Sequence, residues 1–280
     1  DKTTGKEPGA RDGGWNMRSW WELLLIIWGG AAVGMAVLHV VQRARRDAGI
    51  VDVGWAAGVG LSALFYAVVA DGDSTRRTVL AVLGGVWGFR LAGYLLVDRV
   101  MSDREDGRYA AMREAWGENA QRNLFLFFQA QAFWVALFSL PFLGVAANGA
   151  PFPAPVDFAG IAVWILSVAG EGVADTQLSR HRRDPANRGK TCRTGLWRYS
   201  RHPNYFFEWL HWFAYVLLAW GSPWAALSWP GPLVMLLFLY KVTGIPYTER
   251  QALKSRGDDY RRYQESTSAF FPWFPKEGKP

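Results

Sequence analysis

Seven separate stretches of this chain are each about as long and as apolar as a helix must be to cross ~30 Å of hydrocarbon at ~1.5 Å per residue. The first, WWELLLIIWGGAAVGMAVLHVV (Trp20–Val41), carries one Glu near its start and one His near its end. Similar blocks recur at roughly 50–70, 77–97, 123–147, 157–177, 204–222 and 224–245. One such block can be the buried core helix of a soluble protein; seven in one chain of 280 residues cannot all be. The expected fold class is therefore all-α integral membrane, with seven transmembrane helices. A mean hydropathy of −0.02 agrees, because basic loops and a polar tail dilute the apolar blocks.

The opening DKTTGKEPGARDGG has the composition of a leader, so residues 1–18 are set aside and 19–280 are expected to form one seven-helix domain. The first block is too long for a removable signal peptide and lacks a small-residue cleavage site after it. A single cysteine, Cys192, excludes an intramolecular disulfide framework, and its place in a basic loop speaks against a metal cluster.

Lys and Arg alternate between the connections. Three follow the first block, two the second, five the third, none the fourth and eight the fifth; none lies in the sixth turn, and the tail holds eight when Lys241 is included. The positive-inside rule places the first, third and fifth connections and the C-terminal tail in the cytoplasm, with the N-terminus outside. Orientation thus explains part of the net charge of +7, which need not signal nucleic acid. The remaining cations concentrate in Ser179–Pro203 and Glu249–Gln264. Both segments lie on the same membrane face, where they can converge on one anionic ligand or on anionic lipid headgroups.

Ionisable groups inside a span cost several kcal/mol unless paired or hydrated, which makes them functional candidates. Asp52 sits near the cytoplasmic end of the second block. Arg90, Tyr94 and Asp98 share a helical face at i, i+4, i+8; Glu171 and Asp175 are i, i+4; Asn204, Glu208 and His211 are i, i+4, i+7. All lie toward the cytoplasmic ends of their helices. A polar cavity roofed by basic loops suits a large phosphate-bearing cofactor, with Arg182, Arg183 and Arg201 for phosphates and carboxylates for amide and hydroxyl groups. Neither GxGxxG after a strand nor GxxxxGK[ST] occurs, and His39, His181, His202 and His211 lack ligand spacing. No Ser or Cys has an evident base beside it.

These residues resemble the steroid 5α-reductase family, in particular its bacterial membrane relatives. TGLWRYSRHPNYFFEWLHWFAYVLLAW is similar to the family's Gly-Leu-aromatic, Tyr, Asn-Tyr/Phe, Glu-x-x-x-Trp signature; DTQLSRHRRDP resembles its Asp and Arg-rich loop; DDYRRYQESTSAFFPWF resembles its closing segment. Together they cover about the last 110 residues. The resemblance implies seven transmembrane helices in a bacterial inner membrane, with NADPH bound from the cytoplasmic side by a monomer. It further implies hydride transfer to an activated C=C bond of a steroid-like or other lipid-soluble enone.

Carried over by position, Asp175, Arg182, Asn204, Glu208 and Trp212 fall on cofactor positions, and Arg90, Tyr94 and Asp98 match an Arg-x-x-x-Tyr-x-x-x-Asn run with Asp in place of Asn. Arg183, Tyr199, Arg201, His202, Tyr205 and Tyr260 complete the implied cofactor set. The family's carbonyl-polarising Tyr is matched by Trp87, and its acidic partner by Asp52 alone; these two are the expected catalytic residues. RHPNY also resembles the RHP-x-Y of membrane methyltransferases that use S-adenosylmethionine, the alternative reading. Eight Lys and Arg in one loop suit NADPH, with three phosphoryl groups, better than a cofactor with none.

Overall fold

The computed structural model describes residues 19–101 and 105–276, so the expected leader 1–18 lies outside the described residues. Every regular element among them is helical: α1 (Trp20–Arg45), α2 (Ile50–Val69), α3 (Ser74–Leu95), α4 (Gly107–Trp116), α5 (Ala120–Ala146), α6 (Pro155–Arg183), α7 (Pro203–Leu218), α8 (Pro230–Leu237), α9 (Ile245–Arg256) and α10 (Asp258–Ser266), with short 3₁₀ and π turns between some of them.

The starts follow local chemistry. Glu22 reaches back to the Ser19 N–H at 2.9 Å before α1, Asp73 accepts from the Arg76 N–H before α3, and Asp106 accepts from the Arg108 N–H before α4. Each satisfies an N–H that the first turn would leave unpaired. Pro155 and Pro203 stand at the first positions of α6 and α7, where a missing N–H costs nothing.

Six helical segments are long and apolar enough to cross a membrane: Trp20–Arg45, Ile50–Val69, Ser74–Asp98, Gly107–Ala146, Pro155–Arg183 and Ala225–Arg256. One of the seven sequence blocks has no counterpart among these six, and another is irregular. Block 204–222 yields α7 of only 16 residues, ended before Gly221, whose φ of 85° suits glycine. Block 224–245 lies within Ala225–Arg256 as a 3₁₀ turn, α8, whose first turn holds Pro230 and Pro232, and a π turn before α9.

The connections gather into two sets. On one side the Gly72 and Asp73 N–H groups donate to the carbonyls of Ala146 and Asn148, and Asn148 Nδ2 donates to Leu218 O and Trp220 O. On the other, Arg45 bonds Val100 O, the Ala48 N–H donates to Glu105, and Arg193 pairs with Asp259. Helix α7 runs from one set to the other. Helix pairs α1–α5, α2–α3 and α6–α7 dominate the packing. Outward faces are apolar, as with Val33 at 67% and Val68 at 79% exposure, the pattern of a lipid-facing surface.

Helices α2 and α3 approach closely at Gly60 and Gly88. A Cβ on Gly88 would stand 2.6 Å from the Gly60 Cα, and backbone cannot swing aside as a side chain can. Gly88→Ala is expected to push the two helices apart and lower stability by about 1–3 kcal/mol, the usual cost of overpacking. Thermal unfolding in detergent measures it, and Gly93→Ala, where a Cβ meets nothing within 4 Å, is the control.

Candidate active site

Of the residues picked out by helical spacing, all but Arg90 and His211 line one cavity of about 810 Å³. One wall, from α6 and α7, is polar: Glu171, Asp175, Asn204 and Glu208. The other, from α5 and α8, is apolar: Phe127, Trp134, Phe138 and Met235. The volume falls within the ~300–1,000 Å³ of small-molecule and cofactor sites.

Spacing explains the polar wall. Asn204 and Glu208 are one turn apart on α7, and Asp175 and Glu171 one turn apart on α6, so the packed pair aligns them. Asn204 Nδ2 donates to Asp175 Oδ1 at 3.1 Å, and Arg90 reaches Glu171 at 2.6 Å. Glu208 accepts from two indoles, Trp87 Nε1 at 3.1 Å on one oxygen and Trp212 Nε1 at 3.3 Å on the other. Trp87 is fully buried and stacks on His211 at 4.7 Å between ring centres.

A third group faces the cavity from α2 and α4. Tyr109 Oη donates to Asp52 Oδ1 at 2.8 Å, and Arg108 Nη2 donates to Asp52 Oδ2 at 3.2 Å. Asp52, Arg108 and Tyr109 all line the space. Both oxygens of Asp52 thus accept, one from a hydroxyl and one from a guanidinium.

Above the polar wall, the tail is clasped to the turn before α7. Arg201 donates through Nε to Glu249 at 2.7 Å and through Nη1 to the carbonyls of Gln264 and Thr267. Glu249 also meets His202 Nε2 at 3.2 Å and accepts from Gln264 and the Tyr260 hydroxyl. Burial lowers the His202 imidazole pKa against the pull of Glu249, leaving the ring neutral at pH 7. Burial likewise raises the Tyr260 and Tyr263 hydroxyl pKa values, so both stay protonated donors; Tyr263 donates to Trp197 O and to Ser200 O.

Of the predicted residues, Asp52, Tyr94, Asp98, Asp175, Arg182, Arg201, His202, Asn204, Tyr205, Glu208 and Tyr260 line the cavity. Arg90, Trp87 and Trp212 stand behind it and act on Glu171 and Glu208. Arg183 is exposed, while Tyr199 packs on Phe274 and takes the Trp273 N–H on its carbonyl. Sequence reading missed Arg108, Tyr109, Gln131 and Arg256. Arg108 and Tyr109 were hidden in what reads as a basic loop; the cue was Asp106, a helix-capping residue just before them.

Two of the lining cations stand apart. Neither Arg182 nor Arg256 has a carboxylate within ion-pair distance among the described residues, and the two are close enough to repel each other. Arg256 lies over the Tyr260 ring at 5.1 Å. Like charges held together outside any ion pair, with Asp175 and Asp259 acting on them only at longer range, leave donors free for an anion.

A family model described as a protein of unknown function (DUF1295) matches residues 38–267. The match reaches well upstream of the C-terminal segment in which the sequence motifs concentrate and takes in both walls of the cavity. No curated protein and no solved structure matches the chain.

Proposed function

We propose, for a chain that belongs to the DUF1295 family, a membrane steroid reductase-like family without an assigned function, that it is an NADPH-dependent reductase of a lipid-soluble enone. The observation that carries this reading is the pairing of two guanidiniums outside any ion pair, Arg182 and Arg256, with a carboxylate-and-amide wall in one cavity. Cations suit the phosphates of NADPH; acceptors on Asp175, Glu171 and Glu208 suit ribose hydroxyls and a carboxamide; Asn204 can donate and accept. The residues present therefore fit this cofactor. When bound, NADPH supplies a hydride.

Each remaining part of the reaction falls to the chain's own groups. The apolar wall of α5 and α8 holds a lipophilic acceptor and excludes water. Tyr109 holds the proton that completes the reduction, with Asp52 and Arg108 fixing its hydroxyl. Trp87, with its N–H on Glu208, positions that carboxylate rather than reaching the acceptor. In this reading α7 is the seventh crossing, shortened because protein holds both its ends, with the N-terminus outside, the C-terminus in the cytoplasm and the cavity facing the cytoplasm of a bacterial inner membrane. The enzyme acts as a monomer and needs no nucleic acid.

Isothermal titration in detergent with NADPH and with S-adenosylmethionine tests the cofactor. Saturable binding of S-adenosylmethionine alone would overturn the reductase reading in favour of a methyltransferase. Arg182→Met and Arg256→Met are each expected to weaken NADPH about 10–100-fold, the ~1.5–3 kcal/mol of a hydrogen bond to a charged group. Arg183→Met, at an exposed position outside the cavity lining, is expected to change it less than twofold.

A further inference from the structure

Helix α5 carries three glutamines, Gln121, Gln129 and Gln131, in an otherwise apolar span. Two are accounted for by the fold. Gln121 Oε1 accepts from Gln42 at 2.9 Å, and Gln129 Nε2 donates to the Ala32 carbonyl of α1 at 3.2 Å. Gln131 faces the cavity instead, on the same helical face as Phe127, Trp134 and Phe138, and its amide makes no hydrogen bond among the described residues. It stands near the middle of the helix, half-buried, with its amide open to the cavity. An amide kept there among aromatic rings fits a ligand that brings its own polar atom into an apolar chamber.

From this placement we infer that the α5–α8 side of the cavity is an acceptor-binding chamber with Gln131 as the polar anchor on that wall, taking a flat or extended lipid with a single carbonyl oxygen. The Gln131 Nε2–H donates to that oxygen, while Phe127, Trp134 and Phe138 contact the hydrocarbon. The inference rests on the reading of this cavity as the site of a lipid-soluble acceptor. It adds the group that selects an oxygenated lipid over plain hydrocarbon. A chamber built to hydrogen-bond an oxygen discriminates against an analogue that lacks it, because the amide would then be left unpaired.

The test is competition binding to the protein loaded with NADP+, which has no hydride to give, in lipid nanodiscs, with a tritiated tetracyclic Δ4-3-ketone as the probe and the parent tetracyclic hydrocarbon as competitor. Wild type is expected to prefer the ketone about tenfold. Gln131→Met, close in volume, is expected to bring the two affinities to within twofold with hydrocarbon binding unchanged, and Gln131→His, which keeps an N–H donor, to retain most of the preference. If Gln131→Met keeps the tenfold preference, or loses hydrocarbon binding as well, the anchoring role is overturned while the reductase reading stands. If wild type shows no saturable binding of either ligand, the acceptor chamber and the enone reading fail together.

Discussion

Tyr109→Phe is expected to lower the turnover of NADPH with an accepted enone by about 10²–10³ while leaving NADPH affinity within twofold, the scale seen when a donor aimed at developing charge is removed. Hydride addition to an enone leaves negative charge on the former carbonyl system, and the reaction is complete only when a proton arrives. Among the residues around the cavity, Tyr109 has a hydroxyl directed onto a carboxylate at 2.8 Å, with Arg108 on that carboxylate's other oxygen. Phenylalanine keeps the ring, which packs against Phe127 at 6.0 Å and beneath the Arg108 guanidinium at 5.4 Å, and takes away the transferable proton alone. Asp52→Asn is expected to give a similar loss, since an amide facing the Tyr109 hydroxyl no longer favours the same arrangement of protons. Trp87→Phe removes only one of two donors to Glu208 and is expected to show chiefly as weaker NADPH binding. Steady-state kinetics with separate titration of the cofactor distinguishes the three. Full turnover in both Tyr109→Phe and Asp52→Asn would remove this pair from the chemistry and leave the cofactor wall untouched.

How the site could be read from sequence depends on which contacts are periodic. Asp175 with Glu171 and Asn204 with Glu208 were visible because one helical turn puts side chains on a common face, and two such faces on helices that pack together must meet. The Tyr109–Asp52 bond joins residues 57 apart through a short helix that hydropathy cannot see, because α4 is too polar to register as a span and too brief to show a face. Charge was a still weaker guide. Arg201 looks like a phosphate ligand in its local sequence, yet Glu249, 48 residues further on, and two tail carbonyls take its donors. Arg182 and Arg256 are chemically no different from it; only the placement of carboxylates in three dimensions separates a clasp from an anion site. The same limit applies to Trp87, whose indole N–H is a donor by residue type and is taken up by Glu208 of α7, 121 residues further on.

Span length shows a further gap between pattern and structure. The blocks at 204–222 and 224–245 read as ordinary crossings, but α7 stops at 16 residues, about 24 Å at ~1.5 Å per residue. The first N–H groups and last carbonyls of a helix have no partner within it, so where protein surrounds its ends, protein must supply one. At its N-terminal end the Tyr205 N–H donates to Asn204 Oδ1 at 3.0 Å and the His202 N–H to Ser200 Oγ at 3.1 Å. At the C-terminal end the Leu218 carbonyl accepts from Arg76 Nη1 at 3.0 Å and from Asn148 Nδ2 at 3.1 Å. The helix that presents Asn204 and Glu208 is therefore fixed in depth by residues on the opposite side of the molecule from the cavity.

Arg76 is the residue on which that far anchor turns, and Arg76→Met is expected to cost about 3–5 kcal/mol, the scale for removing one partner of a buried ion pair. Its side chain is 1% exposed and that of its partner Asp157 is 0% exposed. The guanidinium bonds both Asp157 oxygens, the Leu218 carbonyl and the Ala150 carbonyl, thereby tying α3 to the start of α6 and the end of α7. Methionine fills similar space but leaves a buried carboxylate without its counter-charge. Asp157 also accepts from the Ala154 N–H at 2.7 Å at the start of α6, so deleting it outright removes a cap as well. The double variant Arg76→Met/Asp157→Asn keeps an acceptor for that N–H and no charge, and is expected to recover most of the loss, because a buried pair removed whole costs far less than one broken. Thermal inactivation in detergent ranks the three proteins. A single variant as stable as wild type would show that Asn148 alone holds the end of α7, and NADPH affinity measured on the same samples reports whether moving that end shifts Asn204 and Glu208 at the other.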